Sequence, residues 1–127
     1  MAQVLVVDDD QDIRDALRFI LEDAGHEVLE ASDGEAALQT LRRNQSRLVV
    51  LLDLLMPHMN GIDVLRQVVA DRWLKERHAY LLMTADNAIL RQQADPLLAQ
   101  VSAQVIGKPF DIDRLLEMVD AAARPLA

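Results

Sequence analysis

The chain has 127 residues and a mass of 14.2 kDa, room for one domain around one apolar core. Apolar residues at 51% against charged residues at 27% exclude a disordered chain, no run approaches the ~20 apolar residues of a membrane span, and the lack of cysteine removes disulfides, thiolate catalysis and Cys-based zinc sites. A net charge of −8, from 13 basic and 21 acidic side chains, repels phosphate backbones and argues against direct nucleic-acid binding; the first apolar run is too short for a signal peptide, so a cytoplasmic protein is expected.

Taken in order, Gln3–Val7 (QVLVV) reads as a buried strand. Ile13, Leu17, Ile20, Leu21 and Ala24 then share one helical face, which Gly25 ends. Glu27–Ala31 (EVLEA) is a weaker second strand, closed by Asp33-Gly34, and Ala37, Leu38 and Leu41 mark a short helix. Leu48–Leu52 (LVVLL) is the most apolar strand, followed by a loop over Asp53–Asn60 and a helix from near Gly61 striped by Ile62, Leu65, Val68 and Val69. Ala79–Met83 is a fourth strand and Gln104–Gly107 a fifth. Asp95-Pro96 predicts a break in the helix between them, with Asp95 as N-cap and Pro96 opening a new turn. Asp111 caps a last helix on Ile112, Leu115, Leu116 and Val119, with Asp113 in its first turn and Arg124 at its end.

Strand and helix thus alternate five times. That is an α/β pattern: a five-stranded parallel sheet with five helices covering both faces, the strands apolar nearly throughout. Right-handed crossovers leave few topologies. No repeat, low-complexity tract or linker interrupts it. The domain is expected over 1–124, with 125–127 a tail or linker stub.

In such a sheet ligands bind beyond the carboxyl ends of the strands, where the strand order switches. Asp8, Asp9 and Asp10 follow the first strand, Asp53 the third, Thr84 the fourth, Lys108 and Pro109 the fifth; Glu30, Asp33 and Gly34 near the second are less concentrated. Carboxylates brought together repel unless some stay protonated or a cation joins them. Oxygen ligands without nearby His or Cys select a hard ion, best Mg²⁺, which retains coordination positions open to a phosphate oxygen. Lys108 supplies a point charge and Thr84 a hydroxyl donor to further phosphate oxygens. Asp53, projecting from the most buried strand, is the candidate nucleophile for an aspartyl phosphate. Eleven Arg against two Lys make a lysine at this place a choice for a compact ammonium.

The set VLVVDDDQDIR, LLDLLMPHMNG, LLMTA and GKPF resembles the receiver domain of bacterial two-component response regulators, of the single-domain, chemotaxis-regulator kind, over Gln3 to about Ala123. The resemblance implies a doubly wound, flavodoxin-like sheet of order 2-1-3-4-5. It implies that Asp53 accepts a phosphoryl group from a histidine kinase or histidine phosphotransfer protein. It makes Asp8, Asp9, Asp53 and the main-chain carbonyl of Leu55 the Mg²⁺ ligands, Thr84 and Lys108 the phosphoryl contacts, and Lys108–Pro109 a cis bond. It further implies that the output is a downstream protein effector or a fused domain, with no enzymatic activity expected beyond self-phosphorylation and self-dephosphorylation. Two features depart from the family pattern. Val105 and Ile106 stand where an aromatic switch residue is common, and PLLAQVSAQ replaces a small-residue and Gly stretch before the fifth strand.

Plainer readings apply elsewhere. Asp10 is a helix cap; His26, His58 and His78 are solvated loop residues; Trp73, Tyr80 and Phe110 are packing; Phe19, off its helix's apolar stripe, is a candidate partner contact. Three other functions share these residues or this fold. One is a Mg²⁺-dependent phosphatase with an aspartyl nucleophile, suggested by the D-x-D of Asp8 and Asp10, although Asp12 stands where that motif's hydroxyl residue belongs. Another is a receiver-like module acting without phosphorylation. A flavin-binding flavodoxin is disfavoured because no Ser/Thr/Gly-rich loop follows the first strand.

Overall fold

The computed structural model describes residues 2–56, 59–85, 88–101, 103–108 and 110–124. Along the chain come β1 (Gln3–Val7), α1 (Gln11–Asp23), β2 (Glu27–Ala31), α2 (Gly34–Arg43), β3 (Leu48–Asp53), α3 (Gly61–Ala70), α4 (Arg72–Arg77), β4 (Ala79–Thr84), α5 (Ala88–Val101), β5 (Gln104–Gly107) and α6 (Ile112–Ala123). Every strand pair is parallel, in the order β2-β1-β3-β4-β5. Successive crossovers run one way from β1 to β2 and the other way from β3 onward. The switch, and with it the crevice at the carboxyl ends, falls between β1 and β3.

Burial follows from that order. Central β3 is buried at all six residues, whereas edge strand β2 exposes Glu27 and Leu29. On one face Leu5, Val7, Val50 and Leu52 pack with Leu38, Leu41, Leu65 and Leu74 from α2, α3 and α4. On the other Val4, Val6, Leu51 and Met83 pack with Leu17 and Leu21 of α1 and Leu115 and Val119 of α6. Helix starts are fixed by short acceptor side chains. Asp10, Asp33 and Asp111 cap α1, α2 and α6, and Asn60 and Asp63 form a reciprocal capping box on α3.

Several expectations need correction. Six helices, not five, occur among the described residues. The extra α4 starts where Asp71 accepts from the backbone N–H groups of Trp73 and Leu74, and it buries Leu74, whose carbonyl accepts from the Tyr80 hydroxyl at 2.8 Å. The break at Asp95-Pro96 is absent: α5 runs through Pro96. Proline gives up its donation to the Gln92 carbonyl and crowds that carbonyl with its ring, and the residue is exposed, so both effects fall on the solvent side. His26 and His78 are buried rather than solvated. His78 Nδ1 accepts from the Leu48 N–H and Nε2 donates to the Leu41 carbonyl, both at 3.0 Å, so the ring is neutral; burial first, then neighbouring arginines, lowers its pKa. His26 Nδ1 accepts from the Ala2 N–H at 3.0 Å, with Nε2 3.3 Å from Asp120.

Tyr80 and Phe110 pack as expected, while Trp73 remains partly exposed, with the Arg77 guanidinium 5.3 Å from its ring centre. Phe19 is 74% exposed. The cis bond at Lys108–Pro109, the surroundings of His58 and the tail 125–127 lie outside the described residues. Among the described residues, no helix is long and apolar enough to cross a membrane.

Candidate functional site

Asp8 continues β1 by one step, its N–H donating to the Ala31 carbonyl at 3.2 Å. That step carries its carboxylate under the surface, at 1% exposure. A carboxylate so placed needs donors on both oxygens. Oδ1 accepts from the Asp10 N–H at 3.0 Å and Oδ2 from the Lys108 ammonium at 2.9 Å. Asp53 is the last residue of β3 and also buried. Its Oδ1 accepts from the Leu55 N–H at 3.2 Å and stands 3.5 Å from Lys108 Nζ. Lys108 is set by its own N–H, which donates to the Thr84 carbonyl at 2.8 Å and extends the β4–β5 ladder. One ammonium from the end of β5 therefore bridges carboxylates from β1 and β3.

Asp9 is exposed, yet one carboxylate oxygen each from Asp8, Asp9 and Asp53 lie within 4.8 Å of one another. Three acids so close are not balanced by one lysine. Burial, and then the Asp8 charge, push the Asp53 carboxyl up from its usual 3.8 to about 6, against the opposing pull of Lys108 and the Leu55 N–H. For Lys108 burial works against the charge, but the hydrogen bond to Asp8 and the two carboxylates outweigh it, and its pKa rises. The chemistry of the donor set fits a hard divalent cation: oxygen only, negative in excess, and one member reluctant to ionise without added positive charge.

The expected residues do not all converge in the same way. Asp8, Asp9, Asp53 and Lys108 meet. Thr84 is buried at the same end of the sheet, but its hydroxyl donates to the Ala85 carbonyl at 2.6 Å instead of facing Asp53. Leu55 touches Asp53 through its N–H, and its side chain is exposed.

Two supports escaped the reading of the sequence. Arg14 Nη1 donates to the Asp8 carbonyl at 2.7 Å while its Nε holds Glu30 at 3.1 Å, tying the end of β1 to β2. Only the strand register brings Glu30 to it, so no local pattern announces the pair. The other is Gly61. Its N–H donates to the Leu54 carbonyl at 3.1 Å. A Cβ there would lie 2.5 Å from the Asp53 carbonyl oxygen and 2.7 Å from Leu54 Cα. The bare backbone lets α3 start directly against the strand end that carries Asp53.

Comparison with known proteins bears on the family and the fold. A family model described as response regulator receiver domain matches residues 4–120. The chain is 32% identical over 123 residues to Protein PilH of Pseudomonas aeruginosa, covering 95% of this chain and 97% of that protein. It is 34% identical over 122 residues to the uncharacterized transcriptional regulatory protein YrkP of Bacillus subtilis, covering 96% of this chain but 49% of YrkP. The chain spans about half the length of most of the first relatives it matches. Among solved structures, the CheY-like response regulator receiver domain protein from Methanospirillum hungatei superposes with a TM-score of 0.80 at 33% identity, over 95% of this chain and 93% of the other.

Proposed function

The chain belongs to the response regulator receiver domain family, and on that footing we propose that Asp53 is its phosphoryl acceptor. The observation that carries the reading is the buried Asp53 carboxylate held 3.5 Å from the Lys108 ammonium, within the Asp8–Asp9–Asp53 cluster. A histidine kinase or histidine phosphotransfer protein is the donor. One Asp53 carboxylate oxygen attacks the phosphorus. The P–N bond of the phosphohistidine breaks, its electron pair stays with the imidazole, and that ring leaves as neutral histidine after taking up a proton. Asp53 must be ionised to attack, which a pKa of about 6 permits at neutral pH.

Lys108 is placed to meet one phosphoryl oxygen; Thr84 meets another after its hydroxyl leaves the Ala85 carbonyl. Asp8, Asp9, Asp53 and the main-chain carbonyl of Leu55 would hold Mg²⁺, which when bound supplies positive charge against the incoming phosphoryl oxygens. Water attack on the same phosphorus returns the carboxylate and releases phosphate, the self-dephosphorylation of the domain. The signal passes by protein–protein contact in the cytoplasm, to a separate effector or to an output domain beyond 1–124.

Incubation with a small-molecule phosphodonor and Mg²⁺ is expected to add one phosphoryl group to the wild-type protein and none to Asp53→Asn, read by intact mass. Equal labelling of the two would falsify the assignment.

A further inference from the structure

A cavity of about 470 Å³ opens on the β4–β5 side of the site. Thr84, Gly107 and Lys108, at the ends of β4 and β5, line it together with Arg91, Gln92 and Asp95 of α5; Lys108 also holds Asp8 and Asp53. Neither Val105 nor Ile106 lines it, and Ala85 and Gly107 bring little or no side chain into it. Among the described residues, the one cation on the α5 wall is loosely held: Arg91 Nε stands 3.6 Å from Asp95 Oδ1, longer than a hydrogen bond, and both side chains are more than half exposed. Such a pair contributes little and yields readily to a stronger anion.

The charge balance names that anion. Lys108 is already shared between Asp8 and Asp53. Converting the Asp53 carboxylate to an acyl phosphate replaces one negative charge by nearly two and adds three acceptor oxygens. A divalent ion and Lys108 together match the three carboxylates, so the added charge is left without a counterion. A guanidinium across an open cavity is the group suited to it, because its forked donors match phosphate oxygens.

We propose that phosphorylation of Asp53 draws Arg91 from Asp95 across this cavity onto the phosphoryl group, so that α5 reports the modification through a cation. The proposal rests on Asp53 being the acceptor, and the test separates the two. The wild-type protein, Arg91→Ala, Arg91→Lys and Asp53→Asn are each treated with a small-molecule phosphodonor and Mg²⁺. Occupancy is read by intact mass, and the Arg91 Nε–H and α5 amide resonances are followed by NMR. At equal occupancy, the wild-type Arg91 Nε–H signal is expected to shift, the α5 amide shifts to fall by at least half in Arg91→Ala, and Arg91→Lys to restore part of them. Phosphorylated protein with the Arg91 signal unmoved, or α5 shifts undiminished in Arg91→Ala, overturns this proposal and leaves the acceptor assignment standing. Failure of the wild-type protein to take up a phosphoryl group, or labelling of the Asp53→Asn protein, overturns the acceptor assignment and this proposal with it.

Discussion

Asp53 sits where folding and function pull in opposite directions. Its carboxyl is pushed up from 3.8 to about 6, by burial and by the charge of Asp8. The folded state therefore holds the proton more tightly than the unfolded chain. As pH rises through the window from about 4 to about 6, the folded protein gives up that advantage, and its stability falls by an amount on the order of 3 kcal/mol. An amide in place of this carboxyl would have no proton to lose. In metal-free buffer, Asp53→Asn is expected to be no more stable than wild type near pH 4 and more stable, by up to about 3 kcal/mol, at pH 7.5. Urea unfolding with a chelator at both pH values measures the difference; one that does not change with pH would show that Asp53 ionises as freely in the fold as outside it. The acids and the lysine were legible because each stands at the end of an apolar strand or within two residues of it, a position the topology turns into one pole of the sheet. The Thr84 hydroxyl was not, since its rotation toward the Ala85 carbonyl is a local choice among staggered rotamers that spacing does not encode.

At the scale of elements, the start of α3 determines where Asp53 stands. The helix begins against the end of β3 because Gly61 has no side chain to hold it off, and the atoms a Cβ would meet are backbone, at 2.5 and 2.7 Å. Backbone does not rotate aside, so Gly61→Ala must move the helix or the strand end. A loss of ~1–3 kcal/mol in stability is expected, with slower uptake of phosphoryl groups even where the protein stays folded. Unfolding midpoints and single-turnover labelling give the two readouts; an unchanged labelling rate in the folded variant would mean that α3 does not position the acceptor. The strands were readable as short apolar runs and α1, α2, α3 and α6 from their helical stripes, and α4 and the middle of α5 were not. Six residues of α4 hold too few apolar positions to show a period, and its placement depends on Leu74 reaching a core built mainly by other segments. Pro96 misleads because the rule against proline in a helix assumes that the missing hydrogen bond is costly, whereas an exposed turn lets water take it.

For the whole molecule, which carries a net charge of −8, repulsion acts most strongly where Asp8, Asp9 and Asp53 meet, because Asp8 and Asp53 are buried there and solvent screens them least. The hydrophobic faces of the sheet hold these acids together against their repulsion, so the fold without metal carries a standing electrostatic cost. Anything that binds the folded cluster and not the unfolded chain stabilises the protein by mass action. Mg²⁺ at ten times its Kd is expected to add about 1.4 kcal/mol, a rise of about 4–6 °C in Tm for a chain of this length. Chelator should reverse the rise. Asp53→Asn, which removes one ligand and part of the repulsion, should begin from a higher metal-free Tm at neutral pH and gain less from the ion. NaCl at matched ionic strength provides the comparison, because general screening of a negatively charged protein also raises Tm. If Mg²⁺ did no more than NaCl at any concentration, the three carboxylates would be an acidic cluster and not a cation site, and the charge balance assigned to the phosphorylated state would fail with it.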